Sequence, residues 1–157
     1  MAPHLPPLRM TGAHVLRDGE MQQRSVSVAD GLIARGPFPE VDLSGFLILP
    51  GIIDLHGDGF EHHMAPRPTA PLPLAMGLAS FDKEAAAHGV TTAYLAQSWS
   101  WEGGHRSPDH AEFVLDALAA YRPHAITDMR VQLRAETHLV GEAQRLIDVV
   151  RRNRIDY

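Results

Sequence analysis

The chain has no cysteine, and Lys83 is its only lysine against thirteen arginines. Without cysteine there can be no disulfide and no thiolate zinc site, so any metal must be held by His, Asp or Glu. No apolar run is long enough to span a bilayer. The opening MAPHLPPLRM has neither the basic start nor the apolar centre of a signal peptide. A cytoplasmic location with no membrane partner is therefore expected. Positive charge is also scarce: the formal net charge is −5, which makes nucleic acid an unexpected partner. A polyanionic substrate would need local positive charge, from metals or from a few arginines. The 157 residues, 45% hydrophobic and 21% charged, have the composition of a soluble globular protein. That length holds one domain with a real core, or parts of two.

One stretch organises the rest: LPGIIDLHGDGFEHHMAPR, residues 49–67. Ile52, Ile53 and Leu55 read as a buried strand that runs into a turn rich in Asp, Glu and His. Strand side chains alternate, so His56 and Asp58 project the same way, with Asp54 behind them. An imidazole and a carboxylate two residues apart at a strand end suit a divalent metal of borderline softness. A partly exposed turn histidine is the plainer reading of a bare His-x-Asp.

Before this stretch the pattern is of short strands and turns. Residues 1–7 read as a loose Pro-rich arm. Leu8 to Leu16 reads as one strand, followed by a turn at Arg17-Asp18-Gly19-Glu20. Ser25 to Ala29 and Leu32 to Arg35 flank Asp30-Gly31, a strong hairpin signal. Pro37 and Pro39 break the pattern, and Phe46 to Leu49 resumes it. Residues 8–49 thus predict a small antiparallel sheet. After Gly51 strand and helix alternate: a strand over 52–56, a Pro-rich loop over 64–73, a helix from Leu74 to His88 ended by Gly89, and a strand from Val90 to Ala96. A loop over 97–106 then leads to a helix capped by Ser107-Pro108-Asp109, with Phe113, Val114, Ala117, Leu118 and Tyr121 inward. A strand from Met129 to Glu136 and a helix from Gly141 to Arg152 follow, the latter with Ala143, Leu146, Ile147 and Val150 inward. Ile155-Asp156-Tyr157 would open a fourth strand.

Such alternation predicts a parallel sheet with right-handed crossovers, closed either as an open doubly wound sheet or as a (β/α)8 barrel. His56-Gly57-Asp58-Gly59 is not a dinucleotide fingerprint, which favours the barrel. A full barrel takes about 250 residues. Residues 51–157 therefore read as its first three β/α units, and residues 1–50 as a separate lobe. On the third strand Val131, Leu133 and Ala135 face one way. Arg130, Gln132, Arg134, Glu136 and His138 face the other. An exposed antiparallel strand would look alike, but in a barrel such polar residues belong to the active-site rim. Glu136 could then complete a metal site with His56 and Asp58.

The lobe, VSVADGLIARG and VDLSGFLILPGIIDLHGD resemble, in that order, the opening of the amidohydrolase superfamily. Its members join a small β-sandwich lobe to a metal-dependent hydrolase barrel of the TIM-like (β/α)8 kind. DLHGDGFEHHMAPRP, GVTTAYLAQSWSWEGG and Arg134-Ala135-Glu136 look most like its phosphonate-metabolism branch, the PhnM-type diphosphatases. The resemblance implies release of diphosphate from a ribose 1-alkylphosphonate 5-triphosphate, with one or two divalent ions (zinc, manganese or iron). It makes His56 and Asp58 metal ligands. Glu136 matches the acidic ligand of members that use Glu in place of a carboxylated lysine. Lys83, in mid-helix, is no candidate for carboxylation. The family's later ligands have no counterpart here.

For such a phosphorylated substrate Arg67 is the first phosphate-binding candidate, because its planar fork suits phosphate; a solvated loop arginine is the alternative. Arg106 and Arg134 follow. Glu61, His62 and His63 would roof the site. His138 is a ligand, a substrate contact or a satisfied interior histidine. Trp99 and Trp101 wall the pocket or pack the core, and His88, His105, His110 and His124 read as structural or surface. Two other readings stand beside this one: an amidohydrolase acting on an amide or cyclic amide, and a non-catalytic amidohydrolase-like fragment. Three β/α units leave an open sheet edge, so a homo-oligomer or association with the remainder of the barrel is expected.

Overall fold

A computed structural model describes residues 5–67 and 69–157. Residues 1–4 of the expected arm and Pro68 of the Pro-rich loop lie outside them. The chain forms two compact units, Met1–Pro50 and Gly51–Tyr157.

The first unit holds two sheets. Strands β1 (Leu8–Thr11), β4 (Val26–Ala29), β5 (Leu32–Ala34) and β6 (Glu40–Asp42) form one, in the order β5-β4-β1-β6. Strands β2 (His14–Arg17), β3 (Glu20–Gln23) and β7 (Leu47–Ile48) form the other, in the order β3-β2-β7. The single strand expected over residues 8–16 is thus two strands in different sheets. Gly12 separates them at φ +76°, where a Cβ would strike Ser44 Oγ and Asp42 Oδ1, so the chain turns there as no extended strand can. Nor is the unit wholly antiparallel, because β6 runs parallel to β1 and β7 parallel to β2. Strand β6 had no sequence signal, its three residues being exposed and flanked by proline. The hairpin expected at Asp30-Gly31 forms, and the turn expected at Arg17–Glu20 closes a second hairpin onto the unforeseen strand β3. Asp18-Gly19 and Asp30-Gly31 all take positive φ, the conformation that suits the twist of two-residue hairpins.

The second unit is a parallel sheet with helices. Strands β8 (Ile52–Gly57), β9 (Val90–Trp99) and β10 (Asp128–Ala135) lie in the order β10-β9-β8, both pairs parallel. The helices are α1 (Phe60–Met64), α2 (Leu74–Ala87), α3 (Pro108–Tyr121) and α4 (Ala143–Asn153). The short helix α1 was unforeseen. The last three residues form no strand, although Leu133 N donates to Tyr157 O at 3.1 Å. The core gathers Leu78 and Phe81 of α2, Leu95 and Trp99 of β9, Leu115 and Leu118 of α3, Met129 and Val131 of β10, and Val149 of α4.

Three inward faces differ from the periodic reading. Ile52, Ile53 and Leu55 are 54, 60 and 55% exposed, because β8 is an edge strand with one neighbour. On α3 the buried residues are Ala111, Val114, Leu115 and Leu118, while Phe113 is exposed. On α4 Val149 is buried, Leu146 packs on the core, and Ala143 and Ile147 are exposed. Helix α4 turns its other face to α3 through ions: Arg145 donates to Asp109 at 2.6 Å and Glu112 at 2.7 Å, with its guanidinium 5.5 Å from the centre of the Trp99 ring. Among the described residues no helix is long and apolar enough to cross a membrane.

Candidate functional site

The carboxyl ends of the three parallel strands collect most of the polar residues singled out above. In a parallel sheet this is the end where loops place ligand-binding groups. Strand β8 delivers His56 and Asp58 through an irregularity. Asp54 lies opposite Ala93 but Gly57 opposite Leu95, so one extra residue is inserted and strict alternation fails there. Bulges of this kind re-aim side chains. Asp54 Oδ1 accepts from His56 N at 3.1 Å and fixes the bend.

Around His56 the hydrogen bonds specify a state. Its Nδ1 lies 2.6 Å from Gln132 Oε1, which can only accept. With Gln132 Oε1 as the acceptor, Nδ1 donates, and in the tautomer protonated at Nδ1 alone Nε2 would present a lone pair. That Nε2 faces Asp58 Oδ2 at 3.4 Å. In that tautomer two acceptors face each other, an arrangement that a cation between them would satisfy. Asp58 Oδ1 in turn accepts from Arg134 Nη1 at 3.2 Å.

Glu136 stands apart from that pair. It follows β10, donates its backbone N–H to Trp99 O at 3.3 Å, and has His138 Nε2 3.3 Å from Oε2. The geometry of that contact is not a hydrogen bond, and Glu136 Oε2 is a buried atom without a hydrogen-bond partner. Such an orphaned oxygen is expensive to bury unless a cation or donor meets it. Among the described residues no group of three or more His, Cys, Asp or Glu side chains is gathered closely enough to hold a metal ion. His56 and Asp58 thus bring an imidazole nitrogen and a carboxylate together, and Glu136 is not gathered with them.

Beside Glu136 a cavity of about 260 Å³ is lined by Ser98, Ser100, Arg106, Arg134, Ala135 and Glu136. A second, of about 370 Å³, is lined by Phe60, Glu61, His62, Met64, Ala65, Pro66, Gln97, His105, Arg106 and His110. Arg106 belongs to both. Its Nη1 donates to Glu102 Oε2 at 2.6 Å. The hydrogen bond and charge of Glu102, with the charges of Glu61 and Glu136, hold the guanidinium's pKa above its ordinary value. Burial, then the neighbouring His105, pushes His110 down, which favours its neutral form. The rim carries four carboxylates, Asp58, Glu61, Glu102 and Glu136, against two guanidiniums, Arg106 and Arg134.

The other candidates lie elsewhere. His63 turns to α2, with Nδ1 3.0 Å from Ser80 Oγ, Nε2 3.2 Å from Glu84 Oε2, and its ring edge on Phe81. Arg67 is exposed in the loop after α1 and lines neither cavity. His138 packs at a tilt against the exposed Trp101, whereas Trp99 is fully buried. The sequence places Ser98 and Ser100 in a loop because the apolar signal of β9 stops at Ala96. The strand runs on to Trp99, and the Ser-x-Ser alternation was the available cue. Gln132 was legible only as one polar residue on the face of β10.

Taken together, this is an α/β chain with an acidic, histidine-bearing rim at the carboxyl ends of a parallel sheet. No family model matches the sequence. It is 28% identical over 129 residues to alpha-D-ribose 1-methylphosphonate 5-triphosphate diphosphatase of Escherichia coli (strain K12), a match that takes in 76% of this chain and 34% of that protein. The chain thus spans about a third of the length of that relative, and the match supports a distant relationship to a phosphonate diphosphatase.

Proposed function

We propose that the chain is the metal-binding opening of a hydrolase that releases diphosphate from a ribose 1-alkylphosphonate 5-triphosphate in phosphonate catabolism. In this reading residues 51–157 are the first β/α units of an amidohydrolase-type barrel, and residues 1–50 belong to its small β-sandwich lobe. The observation that carries it is the pair His56 Nε2 and Asp58 Oδ2, 3.4 Å apart at the carboxyl end of β8. His56, Asp58 and Glu136 would hold one or two divalent ions of zinc, manganese or iron. When bound, such an ion supplies a water that ionises near neutral pH and offsets phosphoryl charge. Gln132 keeps the His56 lone pair aimed outward. Four rim carboxylates against two arginines would repel a triphosphate, so the metal-free rim is a poor polyanion site. The same guanidiniums argue against an amide substrate, which needs no such clamp.

Elemental mass spectrometry of the purified chain, without added metal, tests this reading. One or two equivalents of a transition metal are expected, lost in His56→Ala, with diphosphate released from ribose 1-methylphosphonate 5-triphosphate. Metal unaffected by His56→Ala would sink the assignment, and amide hydrolysis without diphosphate release would shift it to the other substrate class. Association with a second polypeptide is a further reading, favoured by the exposed Ile52, Ile53 and Leu55.

A further inference from the structure

We infer that the Asp58–Arg134 ion pair is a latch on a phosphoryl-binding clamp made by Arg134, Arg106, Ser98 and Ser100. This rests on Asp58 being a metal ligand, as proposed above. The clamp surrounds the 260 Å³ cavity, which those four residues line together with Ala135 and Glu136. Ser98 and Ser100 are 8 and 3% exposed. Ser100 Oγ accepts from Glu102 N at 3.1 Å, which leaves its own O–H to donate. Ser100 N donates to Arg106 O at 2.7 Å, so the backbone that bears the guanidinium is tied to the cavity wall. Two guanidiniums and two hydroxyls around one small cavity are donors suited to phosphoryl oxygens. The ligand class is therefore diphosphate, or the phosphoryl end of a polyphosphate ester.

Both guanidiniums already have carboxylate partners, and the partners differ. Glu102 holds Arg106 at 2.6 Å and is no part of the donor set with His56, so Arg106 is the fixed half. Asp58 holds Arg134 at 3.2 Å and is also the carboxylate facing His56 Nε2. A carboxylate engaged by a divalent ion is a weaker acceptor for a guanidinium. An ion held by His56 and Asp58 would compete with Arg134 for the Asp58 carboxylate and free the guanidinium toward the cavity, and Arg134 engaged by a phosphoryl group would free Asp58 in turn. The coupling is reciprocal, as linkage requires. Glu136, the carboxylate lining the cavity, acts with the same sign: it repels a phosphoryl group until a cation meets its orphaned Oε2.

The latch can be opened without metal. Inorganic diphosphate is titrated calorimetrically into the chelator-treated full chain and its variants, each checked for folding by circular dichroism. Asp58→Asn is expected to bind diphosphate about tenfold more tightly than the unaltered chain, because Arg134 is released. The gain should vanish in Asp58→Asn/Arg134→Gln and persist, from a weaker starting affinity, in Asp58→Asn/Arg106→Gln. A gain that survives removal of Arg134 would reflect only the lost negative charge and would overturn the latch, as would no gain in Asp58→Asn. Because binding to metal-free protein is read, a failure to hydrolyse any phosphonate ester leaves this result standing on its own.

Discussion

Asp82 is a fully buried carboxylate that acts only through hydrogen bonds. It accepts from Tyr121 Oη at 3.0 Å, Ile126 N at 2.7 Å, Thr127 N at 2.8 Å and Thr127 Oγ1 at 2.6 Å. It thereby fastens α2 to the connection that leads into β10. Burial pushes its carboxyl up, but the bonds from Thr127, Ile126 and Tyr121 outweigh it and hold the pKa below the ordinary value. Burial and Asp82 together push the Tyr121 hydroxyl up to about 12. An asparagine would offer one acceptor oxygen and turn an amide N–H toward donors. Asp82→Asn is expected to lower stability at pH 7 by about 3 kcal/mol, read from urea unfolding. The pH sign follows from the lowered folded-state pKa. The contribution is full above the unfolded value of about 3.9 and is lost as pH falls through the folded one. Acid should thus narrow the gap between the two proteins, and a gap that widens below pH 4 would refute the assignment.

At the scale of elements, the short helix α1 positions Glu61 and His62 by lying close against α2. Gly77 makes the approach possible: a Cβ there would come within 2.5 Å of Met64 Sδ and 2.7 Å of His63 O. The sulfur can move but the carbonyl cannot without shifting α1. Gly77→Ala therefore pits helix propensity, which favours alanine by about 1 kcal/mol, against overpacking of about 1–3 kcal/mol. A net loss of about 1 kcal/mol is expected in thermal unfolding, with α1 displaced from the larger cavity. A stabilised variant would mean that α1 does not pack as described. The sequence marked Gly89 as a stop, where φ is +79°, but gave no sign of the Gly77 contact, which brings the α2 backbone against Met64 and the His63 carbonyl of α1.

For the molecule as a whole, the apolar side chains that remain uncovered matter most. Ile52, Ile53 and Leu55 on edge strand β8 are each more than half exposed. Unpaired sheet edges and apolar patches of this kind promote association. The chain is expected to self-associate as its concentration rises, and Ile53→Lys/Leu55→Lys to reduce the mass seen by light scattering. A monomer mass at all concentrations in the unaltered chain would show that this surface has no such tendency.

Periodicity and turn chemistry are local, and they were legible in the sequence. The Asp-Gly hairpins, the Ser107 cap whose Oγ accepts from His110 N, and the strand-helix alternation behind the parallel sheet all depend on neighbours within a few residues. The facing of His56 and Asp58 does not belong with them, because the extra residue in β8 breaks the alternation from which it was expected. Tertiary structure decided what distant partners determine. It placed His63 on α2 and Gln132 on His56, set Glu136 apart from His56 and Asp58, and exposed three residues that a strand pattern would bury. Hydrophobic patterning specifies which face a residue takes. Whether anything covers that face, and which donor reaches across 76 residues to Asp58, depends on how the elements pack.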